Sequence, residues 1–552
     1  MVLAFEFNYV SKNALLENIL ESICKDFDIN FSISRANNIV SLYVKGDESI
    51  LSDFSTYIGE RLPLSIFFKS TAVNVVDEFK EAKEPLESCT LCVPFTPKTL
   101  LTSKANNLNP FINNEVGLKT FDAKELVLYD EKSILIKATN DFKSLYKEVS
   151  KLISDGNEVH IDSSSGSYII GKLDVGFDKL EDFIVIPTDL SVVEKMVVIK
   201  DNEIKALASL EKPAIRLRVN TLYASKEILP SNRVKIKLPD ELLLLNICEN
   251  LQACGVDFIY KIDAKKSRYN IKIEGTFNKL PQVEVSVLEN GEILILEGDG
   301  YCAPELRENL KRFDLNSHAQ FASIVQEHKL FDKKISCFYI SKTHDDNIMH
   351  LSEKTGMLDL IKFPVITDMV EIFDMIRESD TGNKLVNNYA KNFPDIYTKA
   401  LEYNIPKNVS DSIYTIWGIA AVILGIGDNI KDGSDKIIEN AEDFGGKKGP
   451  RVDYLLVDKE SIRSDFDMLR LIRSTMSFKL AGTDDITLSF GMIEALAYFL
   501  SDTSDSCREN LSSEKTLLCG STFSIKKFTE ITCKNISSNS DICLNRELPI
   551  DN

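Results

Sequence analysis

The first seventy residues spell out one small fold, and that fold fixes how the rest of the chain must be organised. Alternating Leu3, Phe5, Phe7 and Tyr9 predict a strand with one buried face. Leu16, Ile19, Ile23 and Phe27 then recur at helical spacing. Two strands joined by the turn Ala36-Asn37-Asn38 follow, the second alternating Val40, Leu42 and Val44. Lys45-Gly46-Asp47 opens a helix carrying Ile50, Leu51, Phe54 and Ile58; Pro63 ends that stretch, and Leu64 to Phe68 predicts a closing strand. The order β-α-β-β-α-β is the ferredoxin-like arrangement, assigned to residues 1–70. So small a unit occupies little of 552 residues, and the whole should divide into roughly three or four domains.

Residues 71–120 are turn-rich and contain the pair Cys89 and Cys92. Residues 121–282 alternate β-rich runs such as Ser133 to Ile136 and Phe183 to Ile186 with helical stretches, the pattern of an α/β domain. Residues 283–552 alternate strands with longer helices and predict a second α/β domain. A net charge of −19 opposes a nucleic-acid backbone or an anionic membrane as main partner. The N-terminus lacks the basic region and the small-residue cleavage site of a signal peptide. The longest uncharged stretch, Ser412 to Gly427, has 16 residues and three glycines, too short for a membrane span and suited to a buried helix. Eleven scattered cysteines, mostly beside apolar residues, predict free buried thiols in a reducing compartment, the cytoplasm.

Five segments of the last domain bear a family likeness. Asn316-Ser317-His318-Ala319-Gln320-Phe321-Ala322-Ser323, followed by Glu327-His328, resembles the "HHHAHIAS…EH" helix of the HypF carbamoyltransferases. Ser410-Asp411-Ser412 through Leu424-Gly425 is similar to "TSSxGRLFDAVAALLG", and Asp432-Gly433 through Glu439 to "YEGQAAxxLE". Leu518-Cys519-Gly520-Ser521-Thr522-Phe523 resembles "LSGGVF", and Asn545 to Pro549 the approach to a final "NDGG". All five keep the family's order across about 240 residues. The resemblance implies an acylphosphatase-like ferredoxin domain, a remnant of a zinc-finger region, a YrdC-like α/β domain and a TsaD-like actin-fold domain. It also implies work in [NiFe]-hydrogenase maturation.

The departures from that family bear on the chemistry. The resemblance puts metal ligands at Asn316, Gln320 and Asp551, but amide oxygens are poor substitutes for imidazole. His318 lies about 200° around the helix from either amide and cannot stand in. The phosphate turn is matched by Phe338 to Asp346 and has no glycine, so β-carbons stand where backbone amides would approach an anion. A vestigial nucleotide pocket would comprise Asp432, Gly433, Gly520 and Ser521. Cys89 and Cys92 are half of a zinc site; Asn114 and Gly117 stand where the second pair would be. At the N-terminus, Val10 to Ala14 offers neither glycine nor arginine for acyl-phosphate binding. The basic cluster expected of a YrdC-like domain has no clear counterpart, and Ser163 to Ser167 reads as a turn between strands. His344, His350, Asp345 and Asp346 read as a solvated loop, and Asp551 as part of a mobile terminus.

These losses predict a catalytically degenerate relative without cofactor or metal, similar to the HydE-type accessory proteins of membrane-bound hydrogenases. Its expected partners are the hydrogenase large subunit or other maturation proteins, with no nucleic acid and no membrane insertion. The rival is an active carbamoyltransferase using carbamoyl phosphate and ATP, its ligands moved to His344, His350 and Asp345. A third reading is a binding protein unrelated to hydrogenase on the same scaffold.

Overall fold

The computed structural model describes residues 1–81, 86, 89, 91–111, 122–163, 165–174, 177, 182–263, 266–276 and 279–551. The chain forms two compact units, residues 1–287 with 291–303, and residues 288–290 with 304–552.

The first unit begins with a four-stranded antiparallel sheet in the order Asn30–Ala36, Ile39–Lys45, Val2–Tyr9, Phe68–Val76. Helices Leu15–Phe27 and Glu48–Arg61 cover it, with Phe54 in edge contact with Phe5 and Phe27 at 5.8 and 5.3 Å. Asp47 caps the second helix by accepting from the Ile50 N–H at 2.9 Å. The closing strand begins at Phe68, where the apolar run Leu64 to Phe68 had suggested it would end. Ile66 and Phe67 are buried as core plugs outside any strand, and the buried Glu211 carboxylate holds the Ser65 hydroxyl and the Ile66 N–H at 2.6 and 3.0 Å. The strand itself is an exposed edge, so burial writes no alternation into it.

A large mixed sheet follows in the same unit. Its order is Ile293–Glu297, Glu284–Val287, Ala214–Val219, Arg233–Ile236, Ile184–Pro187, Phe258–Asp263, Gly166–Lys172, Val159–Ser163, Tyr269–Thr276, Asp122–Tyr129, Ile134–Ala138. The two strands between 284 and 297 thus join the middle domain. Helices Phe142–Ser154 and Leu242–Ala253 bury Leu145, Val149, Ile247 and Leu251 in one core.

The second unit carries a five-stranded sheet ordered Gly356–Lys362, Asn347–Ser352, Ile335–Tyr339, Lys515–Cys519, Asp541–Leu544. The first three strands are antiparallel, and the last two run parallel to the central strand. Helix Ile413–Leu424 is buried on nearly every side, as its apolar sequence predicts, and the Trp417 indole N–H donates to the Tyr454 hydroxyl at 2.7 Å. Among the described residues no helix is long and apolar enough to cross a membrane. Among the described residues the eleven cysteines form no disulfide, and nine of them are buried.

Gly418 lets this helix approach helix Ile430–Asp443: a β-carbon there would lie 2.4 Å from the Ile430 carbonyl oxygen. Gly418→Val should therefore destabilise the unit by about 1–3 kcal/mol through overpacking. Gly445→Ala, with nothing within 4 Å of its β-carbon, should stay within about 0.5 kcal/mol in denaturant unfolding.

Candidate functional site

Parallel pairing in the second unit aligns Tyr339 with Cys519, so the turns that follow the two strands lie side by side. Such carboxyl ends are where open α/β sheets bind ligands. The Ile340 N–H donates to the Cys519 carbonyl at 2.9 Å and the Thr522 N–H to the Ile340 carbonyl at 3.0 Å. Gly520, at φ 99°, permits this: a β-carbon would sit 2.3 Å from the Ile340 oxygen.

The first turn uses its own side chains where a phosphate turn would present bare amides. The Ser341 N–H donates to Asp346 at 2.6 Å and the Lys342 N–H to the Ser521 hydroxyl at 2.9 Å. Those of Thr343 and His344 both donate to the Ser341 hydroxyl oxygen at 3.1 Å. Asp346 also accepts from the Ile413 N–H at 2.6 Å, which ties the turn to the start of the buried helix. Burial drives the Asp346 pKa well above the carboxylate range, against the pull of its two N–H bonds.

Asp551 sits between the two turns and is held in place, contrary to the expectation of a mobile terminus. Its carboxylate accepts from the Tyr339 hydroxyl at 2.5 Å, the Ser341 hydroxyl at 2.6 Å and the Ser521 N–H at 2.9 Å; His344 Nδ1 lies 3.5 Å away. Burial pushes its pKa up, yet the bonds from His344, Ser341, Tyr339 and Ser521 outweigh that and hold it at about 2. The same pairing raises the His344 pKa.

Helix Asn316–His328 clamps the segment leading to Asp551. Glu327 accepts from the N–H groups of Arg546, Glu547 and Leu548 at 3.0, 2.6 and 3.3 Å, and His328 bonds the Leu544 carbonyl at 2.8 Å. Gln320 is buried and donates its amide to the Pro549 carbonyl. Asn316 stands in the first turn of the helix, and His318 bonds Asp359 at 2.8 Å.

The remaining candidates scatter. His350 is buried within strand Asn347–Ser352, paired in register with Ser336, and so is not part of a solvated loop. It stands three strand positions, about 10 Å, from the level of Tyr339. The Asp345 carboxylate accepts from the Asp411 N–H at 2.8 Å. Asp432 accepts from the Asp428 N–H and pairs with Lys436, each at 2.9 Å, while Gly433 packs beneath Ala421 between helices. Gly520, Ser521 and Asp551 thus come together, and Asp432 and Gly433 serve the helix pair. The donor set does not suit a metal ion: Asn316 and Gln320 offer amides, and the Asp551 oxygens face hydrogen-bond donors.

In the first unit the loop from Val10 to Ala14 is closed in the same manner. The Ser11 hydroxyl and the Asn13 amide each donate to the Tyr301 carbonyl at 3.3 Å. An arginine does reach this loop, from strand Asn30–Ala36: Arg35 donates to the Ser11 carbonyl at 2.8 Å and to Glu17 at 2.5 Å. Cys89 and Cys92 are buried, Cys89 within the core beneath this sheet; Asn114 and Gly117 lie outside the described residues.

The expectation that the middle domain lacks a basic cluster is corrected by the structure. Lys235, Lys237, Lys261 and Lys279 line one cavity of about 620 Å³, with Ser165 and Ser167 on its wall. Lys237 is buried against Asp240 at 2.6 Å, and Lys261 donates to Ser165 at 3.2 Å above the Tyr168 ring. Burial lowers the Lys237 pKa, with Asp240 opposing. Glu241 gathers the hydroxyls of Ser163, Ser165 and Tyr168, so the serine turn is a hydrogen-bonded wall of the cavity. Lys235 and Lys237 stand two residues apart at the end of one strand, whereas Lys261 comes from another strand and Lys279 from a loop, so only the fold completes the cluster.

Together, the ferredoxin-like sheet, the mixed α/β sheet and the actin-like unit make the architecture of HypF: acylphosphatase-like, YrdC-like and TsaD-like domains. Full-length HypF in its phosphate- and nucleotide-bound form matches 100% of this chain and 96% of its own, with a TM-score of 0.64 and 13% identity. HypF from T. kodakarensis matches 99% and 96%, with a TM-score of 0.65 and 11% identity. In sequence the chain is similar to protein HydE of Wolinella succinogenes, 26% identical over 554 residues that span 96% of this chain and 95% of HydE. No protein-family model matches the chain.

Glu327 offers a test of the clamp. Its pKa is pushed up to about 7 by burial, against the N–H bonds it accepts. Because the folded value exceeds the unfolded one, its contribution to stability is present at low pH and lost as pH rises from about 4.5 to 7. Relative to Glu327→Gln, the native chain should lose on the order of 3 kcal/mol between those limits, read from urea unfolding at several pH values.

Proposed function

We propose that this protein is a maturation or assembly factor for a [NiFe] hydrogenase that works in the cytoplasm by binding proteins, and that it has given up carbamoyl transfer. The observation that carries this reading is the Asp551 network: the groups that would meet a cation or a triphosphate are bonded to one another instead. The likeness to HydE along nearly the whole chain supports the hydrogenase connection. The closed loop at Ser11 and Asn13 speaks against acyl-phosphate hydrolysis at the N-terminus, because its donors face a backbone carbonyl. The expected partners are the hydrogenase large subunit or other maturation proteins.

The lysine-lined cavity of the middle domain favours a second reading, in which a carbamoyltransferase dependent on carbamoyl phosphate and ATP persists. Its cations are largely balanced from within, Lys237 by Asp240 and Lys235 by Glu284 at 2.9 Å, which leaves less charge for a polyanion.

Purified protein should release no pyrophosphate from ATP when given carbamoyl phosphate, and tagged protein should retain the hydrogenase large subunit or a maturation protein from its native host. ATP-dependent pyrophosphate release that disappears in Lys237→Met would establish the second reading. Normal hydrogenase maturation in a deletion strain would end the first.

A further inference from the structure

The polarity of the bonds around Asp551 can be assigned, and it points away from metal binding. The Ser341 hydroxyl oxygen already accepts two N–H groups, from Thr343 and His344, so its proton is free to point at Asp551 2.6 Å away. The Ser521 backbone N–H can only donate, and at 2.5 Å the Tyr339 hydroxyl donates to an ionised carboxylate. Tyr339 and Ser341 are fully buried, so these protons are fixed in direction and screened from water. His344 adds its ring nitrogen at 3.5 Å. A cation placed here would face hydrogens; an anion finds a preformed nest. The adjoining chain is anchored separately, through the buried Leu548 and Ile550 and through Gly520, whose N–H donates to the Ile550 carbonyl at 2.6 Å. Vacating the nest therefore requires only Asp551 to turn out.

We propose that Tyr339, Ser341, Ser521 and His344 form a carboxylate-binding site, that Asp551 is its resident occupant, and that a carboxylate from another molecule can take its place. The ligand class is a carboxylate small enough to accept from two hydroxyls and one amide, supplied by a free organic acid or by an aspartate or glutamate side chain of a protein partner. The site stands whether or not the chain serves a hydrogenase, because nothing in its geometry depends on that reading.

Asp551→Ala empties the nest and leaves its donors in place. The variant should melt several degrees below the native chain, and formate or acetate should restore most of that loss saturably, with no effect of chloride at equal ionic strength. The native chain, its nest filled, should respond to formate no more than to chloride. Asp551→Ser serves where alanine does not fold and is held to the same outcomes. A blocked acidic peptide that restores stability at lower concentration than acetate assigns the source to a protein partner; rescue by acetate alone assigns it to a small acid. An absence of carboxylate-specific rescue overturns the proposal. So does zinc or manganese binding to the native chain that Asp551→Ala abolishes, because that would make the site cationic in preference.

Discussion

The carboxylate of Asp551 holds the second unit's cleft in its observed form. It joins the ends of two parallel strands through Tyr339 and Ser521, and it gives the Ser341 hydroxyl an acceptor while that oxygen receives two backbone amides. Each of these groups is costly to bury alone; together they satisfy one another. Glu327 does comparable work for the segment behind, where three consecutive N–H groups have one acceptor in common. A buried carboxylate in such a place is held by what it bonds, so the order of the terminal segment follows from polar satisfaction as much as from the burial of Leu548 and Ile550.

One bonding pattern recurs at two distant places in the chain. In the loop after the first strand, Ser11 and Asn13 direct their donors at the Tyr301 carbonyl; in the turn after strand Ile335–Tyr339, backbone amides are directed at Ser341, Ser521 and Asp346. Neither loop contains a glycine, and in both the chain supplies the acceptor. In the second turn the serine and aspartate side chains offer oxygen at hydrogen-bond length without any ligand, whereas in the first loop a backbone carbonyl does so.

The sequence was readable where the physics is local. Apolar periodicity found the ferredoxin-like unit, and an uncharged apolar stretch found the buried helix around Trp417. It was unreadable where partners are far apart in the chain. Nothing near Asp551 announces Tyr339, some two hundred residues earlier, and nothing near Lys237 announces Lys261 or Lys279 across the same cavity. His350 looked like a loop residue because it follows two aspartates and an asparagine. Yet Asp346 turns inward to cap the buried helix, and the strand resumes at Asn347. A closing strand with an exposed face likewise leaves no alternation to read, and the Phe68–Val76 edge was missed for that reason.

The cavity in the middle domain and the cleft of the actin-like unit show that charge balance and donor direction are separate tests of a site. In the cavity, cations and carboxylates alternate: Lys237 with Asp240, Lys235 with Glu284 and Lys261 beside the Ser165–Glu241 pair, so a ligand would have to exchange internal pairs for its own. Burial draws the Lys237 pKa down, and Asp240, though burial pushes it up, is held at about 2 by the ammonium groups of Lys237 and Lys261. In the cleft the donors converge on a single acceptor, so a ligand need only replace one carboxylate by another. Removing one partner of a buried ion pair costs several kcal/mol, whereas exchanging one acceptor for a like one conserves the bonds. By that comparison the cleft, although closed, is the easier of the two to open, and the cavity, although open, is the harder to fill.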